Sequence, residues 1–520
     1  MKRFLSLMIA LLLVLAVAIP SLAEEETIKR QENGLPDFEG RNFTIWYRNR
    51  QPQNTDDLTN MENVQKLEEL LNCTFEFIHA PQGQEAENFA ITMAEDKLPD
   101  MIFCGAIDNW YPGGLSMAYE DGVLYDYTDL INETNTPHFC EVMMNDDFLA
   151  PLMKDDSGRI VRLGAKIQGS ATCDFWYAGI TGREDYMAAY GIEKPETIAD
   201  WYEALTTLKE NGIEYPILFQ EGYGLNFFGM AYGILVSASE YYIGEDGAVH
   251  YGPYEAVYKD FLTEMNKWYS EGLINGDFMN TTQDDAIALM LAGQGGFMCS
   301  HVWAWPFGYE ENNTDENAHL TAIQYPKLNE EDELTNLRYS SRNMDDFKYI
   351  TVDAEDPLAC VVLLDTLYIP EISYLMGNGI EGVAWEYDEN GIPQGIEGNE
   401  DKLAGGISEW HMYEDTNEAG LDGKWTERAA DGIRLWGECG TSGRIPGNGR
   451  FLMYTNEEAE IRSAKKTDIE TYVSEMQLKF VTGQTSLDEF DNYIQTLKDM
   501  GVEDLIKVTQ DAYTRLEARR

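Results

Sequence analysis

The stretch Phe-Thr-Ile-Trp-Tyr at residues 43–47 is rich in the aromatic and β-branched residues typical of a β-strand, and the fold can be worked out from it. Apolar residues then recur at helical spacing over 61–71, and residues 73–78 again resemble a strand. A second helical stretch at 89–95 leads into the apolar strand 101–104. Strands that alternate with helices in this way predict βαβ units and a mostly parallel sheet.

In sheets of this kind, ligands bind at the carboxyl ends of the strands. Residues 48–54 and 105–114 directly follow two of the predicted strands. We therefore expect both segments to lie on a rim that faces the ligand.

The same alternation continues through the middle of the chain. The predicted strands and helices there are strand 160–163, a helix between the cap Thr197 and the stop Gly212, strand 216–219, helix 257–268, helix 284–291 and strand 296–299.

A Gly-rich region at 377–406 has no clean period and predicts ordered loops. Two capping-box patterns, Thr467 with Glu470 and Ser486 with Glu489, predict the starts of two C-terminal helices. No internal repeat and no low-complexity linker is present, so we expect the chain to cross between its domains more than once.

Length and charge restrict the class of protein. A chain of 520 residues is longer than one core usually supports, which favours two domains. The hydrophobic fraction of 44% is ample for packed cores and excludes global disorder. The formal net charge of -55 repels nucleic acid and anionic membranes, so neither is expected as a partner.

The N-terminus predicts export. Lys2 and Arg3 precede an apolar run at residues 4–19, and Ser21-Leu22-Ala23 has the small-x-small pattern of a cleavage site, so residues 1–23 are interpreted as a signal peptide. We expect the mature protein to be secreted or to lie at the cell surface. The cysteines number seven with no CxxC pair, which is typical of neither a disulfide framework nor a zinc site, and none stands at the cleavage site for lipid attachment.

Several segments, in their shared order, resemble one known family. They are residues 69–74, Leu98-Pro99-Asp100-Met101-Ile102, residues 125–131, Gly182-Arg183-Glu184-Asp185, residues 195–208, 266–274 and 472–476, Lys479-Phe480-Val481-Thr482-Gly483, and residues 497–501. This set is similar to the extracellular solute-binding proteins of family 1, the binding subunits of carbohydrate ABC importers, in their long Gram-positive branch.

The resemblance implies an α/β fold of the periplasmic-binding-protein type II, with two lobes, each a mainly parallel sheet flanked by helices, joined by hinge crossovers. We expect lobe 1 to comprise residues 40–170 and about 290–370, and lobe 2 about 171–289 and 371–520. The lobes would close around a solute by a hinge motion. The implied partners are an oligosaccharide ligand and the permease subunits of an ABC transporter, with the protein acting as a monomer.

Two departures from the family pattern matter. Ala23-Glu24 stands where many relatives carry a lipid-anchored cysteine. Some relatives carry a calcium loop after the helix that matches 201–208, but residues 210–214 here are too short and carboxylate-poor for such a site. We therefore expect no metal and no cofactor.

Sugar recognition needs aromatic faces for the ring and planar hydrogen-bonding groups for its hydroxyls. Side chains of both kinds follow the predicted strands or lie in the irregular region. The expected ligand-binding residues are Trp46, Arg48, Asp108, Asn109, Trp110, Trp176, Tyr177, Trp303, Trp305 and Trp410.

Each group has a competing interpretation. Trp303 and Trp305 could alternate in core packing, residues 108–111 could be a plain surface turn before Pro112, and residues 174–177 could be hinge packing.

The catalytic alternatives find little support. The six histidines show no HxH or HxxxH spacing, and the single GxGxxG match at 377–382 lacks the helix that a dinucleotide site needs. No GxSxG or HExxH motif occurs, and 92 acidic residues guarantee carboxylate pairs by chance, so a secreted glycosidase is the weaker hypothesis. A peptide or an anionic oligosaccharide stays open as the ligand, and a basic cluster of Arg48, Arg50 and Arg444 would favour the anionic sugar.

Overall fold

A computed structural model describes most of the chain. The described residues are 27–48, 57–80, 83–164, 166–168, 177–220, 223–335, 337, 343–389, 393–396, 410, 412, 426–438, 445, 449 and 451–520. The predicted signal peptide at 1–23, Trp176, Arg50 and Arg444 lie outside these residues.

Lobe 1 is built on a four-stranded sheet. Its strands are β1 (Arg41–Tyr47), β2 (Cys73–His79), β3 (Met101–Phe103) and β12 (Lys348–Ile350), in the order β12-β3-β1-β2. β1 pairs in parallel with both β2 and β3, while β12 is antiparallel to β3. The sheet of this lobe is therefore mainly parallel, as predicted.

Helices cover both faces of the lobe 1 sheet. They are α1 (Glu62–Leu71), α2 (Glu85–Met93), α3 (Gly114–Glu120), α9 (Pro357–Thr366) and α10 (Pro370–Asn378). Every residue of α9 after Pro357 is buried, and its start is fixed by the Asp356 carboxylate, which accepts a hydrogen bond from the Ala359 N–H at 3.0 Å.

Lobe 2 has a second four-stranded sheet with a different pairing. Its strands are β5 (Ala178–Arg183), β6 (Tyr215–Leu218), β9 (Gly295–His301) and β10 (Leu320–Ile323), in the order β10-β5-β9-β6. Only β6 and β9 are parallel, and β5 is antiparallel to both β9 and β10. The prediction of a mainly parallel sheet is wrong for this lobe, because β5 enters the sheet from the lobe crossover and runs against its neighbours.

The helices of lobe 2 enclose a core of aromatic and aliphatic side chains that includes Trp201, Trp268 and Phe297. They are α4 (Glu184–Tyr190), α5 (Ile198–Glu210), α6 (Leu225–Gly229), α7 (Tyr258–Ser270), α8 (Gln283–Leu291), α11 (Glu427–Gly437), α12 (Asn456–Val481) and α13 (Phe490–Met500). α5 begins with the predicted cap at Thr197, whose side chain and Asp200 form a capping box.

The chain passes between the lobes several times. β4 (Lys166–Gln168) precedes lobe 2 and pairs antiparallel with β11 (Asn343–Asp345), which leads back to lobe 1. α14 (Val502–Arg519) contributes Leu505 to the core of lobe 2 and Leu516 to the core of lobe 1. Two small hairpins complete the fold, β7 (Tyr242–Ile243) with β8 (Val249–His250) and β13 (Trp385–Tyr387) with β14 (Pro393–Gly395).

The cores divide the chain differently from the expected boundaries. Strands β9 and β10, which were expected in lobe 1, pair with β5 in lobe 2. α10, Trp410 and Phe451, which were expected in lobe 2, pack in the core of lobe 1. The difference arises because sheet membership depends on strand pairing, which local sequence patterns do not record.

Two local predictions need correction. The first long C-terminal helix begins at Asn456, where Thr455 and Glu458 form the capping box, so Thr467 lies within α12. Its first turns are charged and lack an apolar stripe, which hid them from the periodicity. Residues 160–163 form only isolated bridges, at Ile160 and Leu163, and no strand.

The GxGxxG match lies at the end of α10, which terminates at Asn378, and the described residues 379–389 that follow contain strand β13 and no helix. Among the described residues, five cysteines are buried and outside any disulfide: Cys73, Cys104, Cys140, Cys299 and Cys360. Within the described ranges no single helix is long and apolar enough to cross a membrane; α9 and α10 meet the length and composition test only as a pair bent by 81°.

Candidate ligand site at the edges of the two sheets

The carboxyl end of β9 carries an exposed aromatic pair. After His301 the chain makes a 3-10 turn (Val302–Ala304) and then a π-helical turn (Trp305–Tyr309). The rings of Trp303 and Phe307 lie 4.6 Å apart at an interplanar angle of 31°, and they are 43% and 38% exposed. This pair presents a flat apolar surface at the edge of the sheet.

The π-helical turn is held tightly against α8. A Cβ placed on Gly308 would lie 2.3 Å from the tip of the Ile287 side chain, so a larger residue would force Ile287 to shift. π-helical turns are frequent at functional sites because they re-aim side chains that an α-helix would direct elsewhere.

Trp305 points the opposite way from Trp303. It is buried, its indole N–H donates to the Glu310 carboxylate at 3.1 Å, and its ring packs on Trp436 and Gly432 of α11. Of the two tryptophans that follow β9 and were expected to stack on a ligand, Trp303 has an exposed face and Trp305 packs in the core.

Tyr177 and His301 form a second, half-buried aromatic pair beside the first. Their rings lie 6.4 Å apart and nearly parallel, at 12°. The Val302 N–H donates to the Tyr177 carbonyl at 2.7 Å, which ties the start of β5 to the end of β9. The antiparallel pairing of β5 thus brings Tyr177 to the same edge as Trp303.

The corresponding edge of lobe 1 combines a charge with an indole. The Arg48 N–H donates to the Phe103 carbonyl at 3.0 Å, and its guanidinium lies over the ring of Trp110 at 5.1 Å. Trp110 is half-buried, with its indole N–H donating to the Cys104 carbonyl at 3.1 Å.

Trp46 does not reach the rim expected for it. It is buried under α2, packs edge-on against Phe89 at 5.1 Å, and donates its indole N–H to Asn88 at 2.8 Å. Trp410 is likewise buried, against Phe75 at 5.1 Å and other aromatic rings of the sheet. Both side chains pack in the core and leave no surface for a ligand in this conformation.

Asp108 caps a helix at the lobe 1 edge. Its carboxylate accepts a hydrogen bond from the Leu115 N–H at 3.2 Å in the first turn of α3. Gly114 allows the contact because its φ is +75° and a Cβ there would lie 2.6 Å from the Asp108 carboxylate. The backbone of Asn109 completes the 3-10 turn Ile107–Asn109.

Helix α12 connects the edges of the two lobes. Arg462 donates to the Tyr454 hydroxyl at 2.9 Å and lies over its ring. Burial raises the pKa of Tyr454, and burial also raises the pKa of Glu470 against the opposing charges of Lys466 and Arg462.

Phe307 was missed by the sequence reasoning, as was Gln220 just beyond β6. Trp303 was predicted as a ligand contact because it follows a predicted strand, and Gln220 also directly follows one. Phe307 could have been found from its spacing of four residues from Trp303, which brings two side chains together on a helical turn. Among the described residues, no group of three or more His, Cys, Asp or Glu side chains could hold a metal ion.

One family model and one known protein match this chain in sequence. The family model of the bacterial extracellular solute-binding proteins matches residues 61–330, which is more than half of the 520-residue chain. Lipoprotein LipO of Bacillus subtilis (strain 168) is 24% identical over 356 residues, which is 64% of this chain and 68% of LipO.

Two solved structures share the fold. An HMO-binding, ABC-transporter-associated solute-binding protein from Bifidobacterium longum infantis superposes with a TM-score of 0.73 at 16% identity, over 92% of this chain and 99% of that one. The alginate-binding protein AlgQ2 superposes with a TM-score of 0.71 at 19% identity, over 92% and 98%. Given the family match across more than half its length, the chain belongs to the bacterial extracellular solute-binding protein family.

Proposed function

We propose that this protein captures an oligosaccharide between its two lobes outside the cytoplasm and delivers it, as a monomer and without chemical change, to the permease subunits of an ABC importer. The observation that carries the proposal is the exposed Trp303–Phe307 pair at the carboxyl edge of the lobe 2 sheet. A large exposed aromatic surface on a soluble protein commonly marks a binding site.

The geometry of the pair suits a sugar ring. The C–H groups on one face of a pyranose are apolar and flat enough to stack on an indole, while its hydroxyls need planar polar partners. The structures of the HMO-binding and alginate-binding proteins share this two-lobed fold, which supports a saccharide as the ligand.

The proposed contacts come from both lobes. Lobe 2 would supply the stacking surfaces, and lobe 1 would supply a guanidinium and a carboxylate. The residues proposed to contact the ligand are Trp303, Phe307, Tyr177 and His301 from lobe 2, and Arg48, Asp108, Asn109 and Trp110 from lobe 1.

The β4–β11 pair and the lobe-spanning helix α14 are where we propose that the lobes hinge. Lobe closure would bury the sugar between the two edges. Trp303 should report this step, because an indole that passes from water to a covered site changes its emission.

The test is titration of the mature protein with a panel of neutral and acidic oligosaccharides, followed by calorimetry and tryptophan fluorescence, with product analysis after long incubation. Saturable binding with unchanged ligand supports the proposal. Cleavage of any panel member would show an enzyme, and a response to peptides alone would replace the saccharide by a peptide ligand.

A further inference from the structure

A cavity lies on lobe 2 beside the carboxyl end of β6. Its volume is about 550 Å³, and its walls come from the segment after β6, from residues 236–239, from Phe278 and Met279, and from one face of α12. β6 is parallel to β9, with Leu218 opposite Met298, so the segment after β6 lies about one strand spacing from the end of β9. Gln220 therefore lies at the same edge of the sheet as Trp303.

One side chain in the cavity wall has a buried polar atom without a hydrogen-bond partner. Gln220 is 4% exposed and lines the cavity, and its amide nitrogen is buried with no partner among the described residues. Buried amide groups are almost always hydrogen-bonded, because an unpaired donor has lost its hydrogen bonds to water and formed none in the protein, which costs free energy. An oxygen acceptor that enters from outside would satisfy it.

Two neighbouring side-chain amides already form hydrogen bonds within the protein. The Asn226 side chain accepts from the Val236 N–H at 2.9 Å and donates to Glu240 at 2.9 Å. The Gln477 amide donates to the Val236 carbonyl and to the Tyr258 hydroxyl, both at 2.9 Å. These bonds hold the walls in place, whereas the Gln220 amide nitrogen stays an unpaired donor in the wall.

Among the described lining residues, the charged side chains are two carboxylates, Glu470 and Glu475. Each is paired along α12, with Lys466 at 3.8 Å and with Lys479 at 3.3 Å, but neither lysine lines the cavity. An acidic group in the cavity would face these two carboxylates, with no cation among the described lining residues, and partial burial would strengthen the repulsion. Hydroxyl groups, in contrast, can donate to these carboxylates.

We infer that this cavity binds an uncharged sugar unit, whose hydroxyl or amide carbonyl oxygen accepts a hydrogen bond from Gln220, and that it disfavours uronate units. The inference rests on the proposed function and narrows its ligand to neutral oligosaccharides. Phe278 and Met279 supply an apolar wall, against which either the C–H face of a hexose or the methyl of an N-acetylhexosamine can pack.

The test measures affinity by calorimetry for three length-matched sets of oligosaccharides: neutral hexoses, N-acetylhexosamine-containing chains and uronates. We expect the neutral sets to bind at least about tenfold more tightly than the uronates. Substitution Gln220→Leu should weaken neutral binding about tenfold, because it removes the donor while keeping the volume. Gln294→Leu is the matched control, since Gln294 lies just before β9 at the opposite edge of the sheet.

A second variant tests the charge without disturbing the core. The double substitution Glu470→Gln and Glu475→Gln should narrow the gap between neutral and uronate ligands, whereas Glu69→Gln on lobe 1 should leave the gap unchanged. Equal affinity for uronates, or a Gln220→Leu protein that binds as the unaltered one does, would overturn the inference while the transport function stands. Failure of every oligosaccharide to bind would instead overturn the proposed function.

Discussion

The edge of lobe 1 and the edge of lobe 2 use the same kinds of side chain for different purposes. On lobe 1, Trp46 is buried beneath α2, and Trp110 is covered in part by the Arg48 guanidinium. On lobe 2, Trp303 and Phe307 contact each other and are partly exposed to solvent. An aromatic residue near the end of a strand can therefore belong either to the core or to a site, and the covering element decides which.

The largest expected difference between the edges concerns stability. Trp46→Ala should lower the free energy of unfolding by about 3–5 kcal/mol, because it leaves a cavity between β1 and α2. Trp303→Ala should lower it by less than about 1 kcal/mol, since the side chain is exposed. Denaturant unfolding of the two variants measures both losses. Similar losses of unfolding free energy would contradict the assignment of Trp46 to the core and Trp303 to the surface.

A buried carboxyl in lobe 1 predicts a pH dependence. Asp365 accepts a hydrogen bond from the Phe139 N–H at 2.7 Å, yet burial raises its pKa to about 7. Its proton is held more tightly in the folded state than in the unfolded state, where the pKa is near 4, so stability falls as pH rises from about 4 to 7.

Asp365→Asn keeps an acceptor for the Phe139 N–H and should remove this fall, which is on the order of 3 kcal/mol. Thermal unfolding of both proteins at pH 5 and pH 8 measures it. Asp129→Asn, at an exposed position of the same lobe, is the control. A parallel pH profile for Asp365→Asn and the unaltered protein would show that Asp365 does not carry the effect.

Ligand affinity should depend more on the lobe 2 edge, although stability is expected to depend more on the lobe 1 edge. Trp303→Ala is expected to weaken oligosaccharide binding by about 10- to 100-fold with little change in the melting temperature, because an exposed aromatic surface at the centre of a site carries much of the binding energy. Calorimetry with the best ligand of the panel tests this. Leu291→Ala removes a comparably exposed apolar side chain beyond the far edge of the sheet, and it should bind as the unaltered protein does.

The smallest expected effect concerns Arg48. Arg48→Met removes the cation–π contact with Trp110 and should lower stability by about 0.5–1 kcal/mol at low salt. Lys66→Met, on the exposed surface of α1, is the control for the loss of one positive charge. If acidic oligosaccharides lost affinity only in the Arg48 variant, lobe 1 would contribute the contact with the anionic group.

Much of the local structure followed from the sequence, for direct physical reasons. Strand β1 and helices α5 and α7 were predicted close to their observed bounds, because their apolar residues recur with a clear period and α5 carries a side-chain cap. The position of residues 48 and 108–110 at a sheet edge also followed, since each comes directly after a strand.

The sequence alone also determined the family, the two-lobed α/β class and the acidic character of the surface. Only the tertiary structure decided which tryptophan is buried, because Trp46 is covered by α2, and Trp410 reaches Phe75 across more than 300 residues of chain. It also decided that β5 runs against β9, which brings Tyr177 to the edge beside His301. Local patterns record whether a side chain is apolar and how often it recurs, whereas burial and pairing depend on partners that are distant in the sequence.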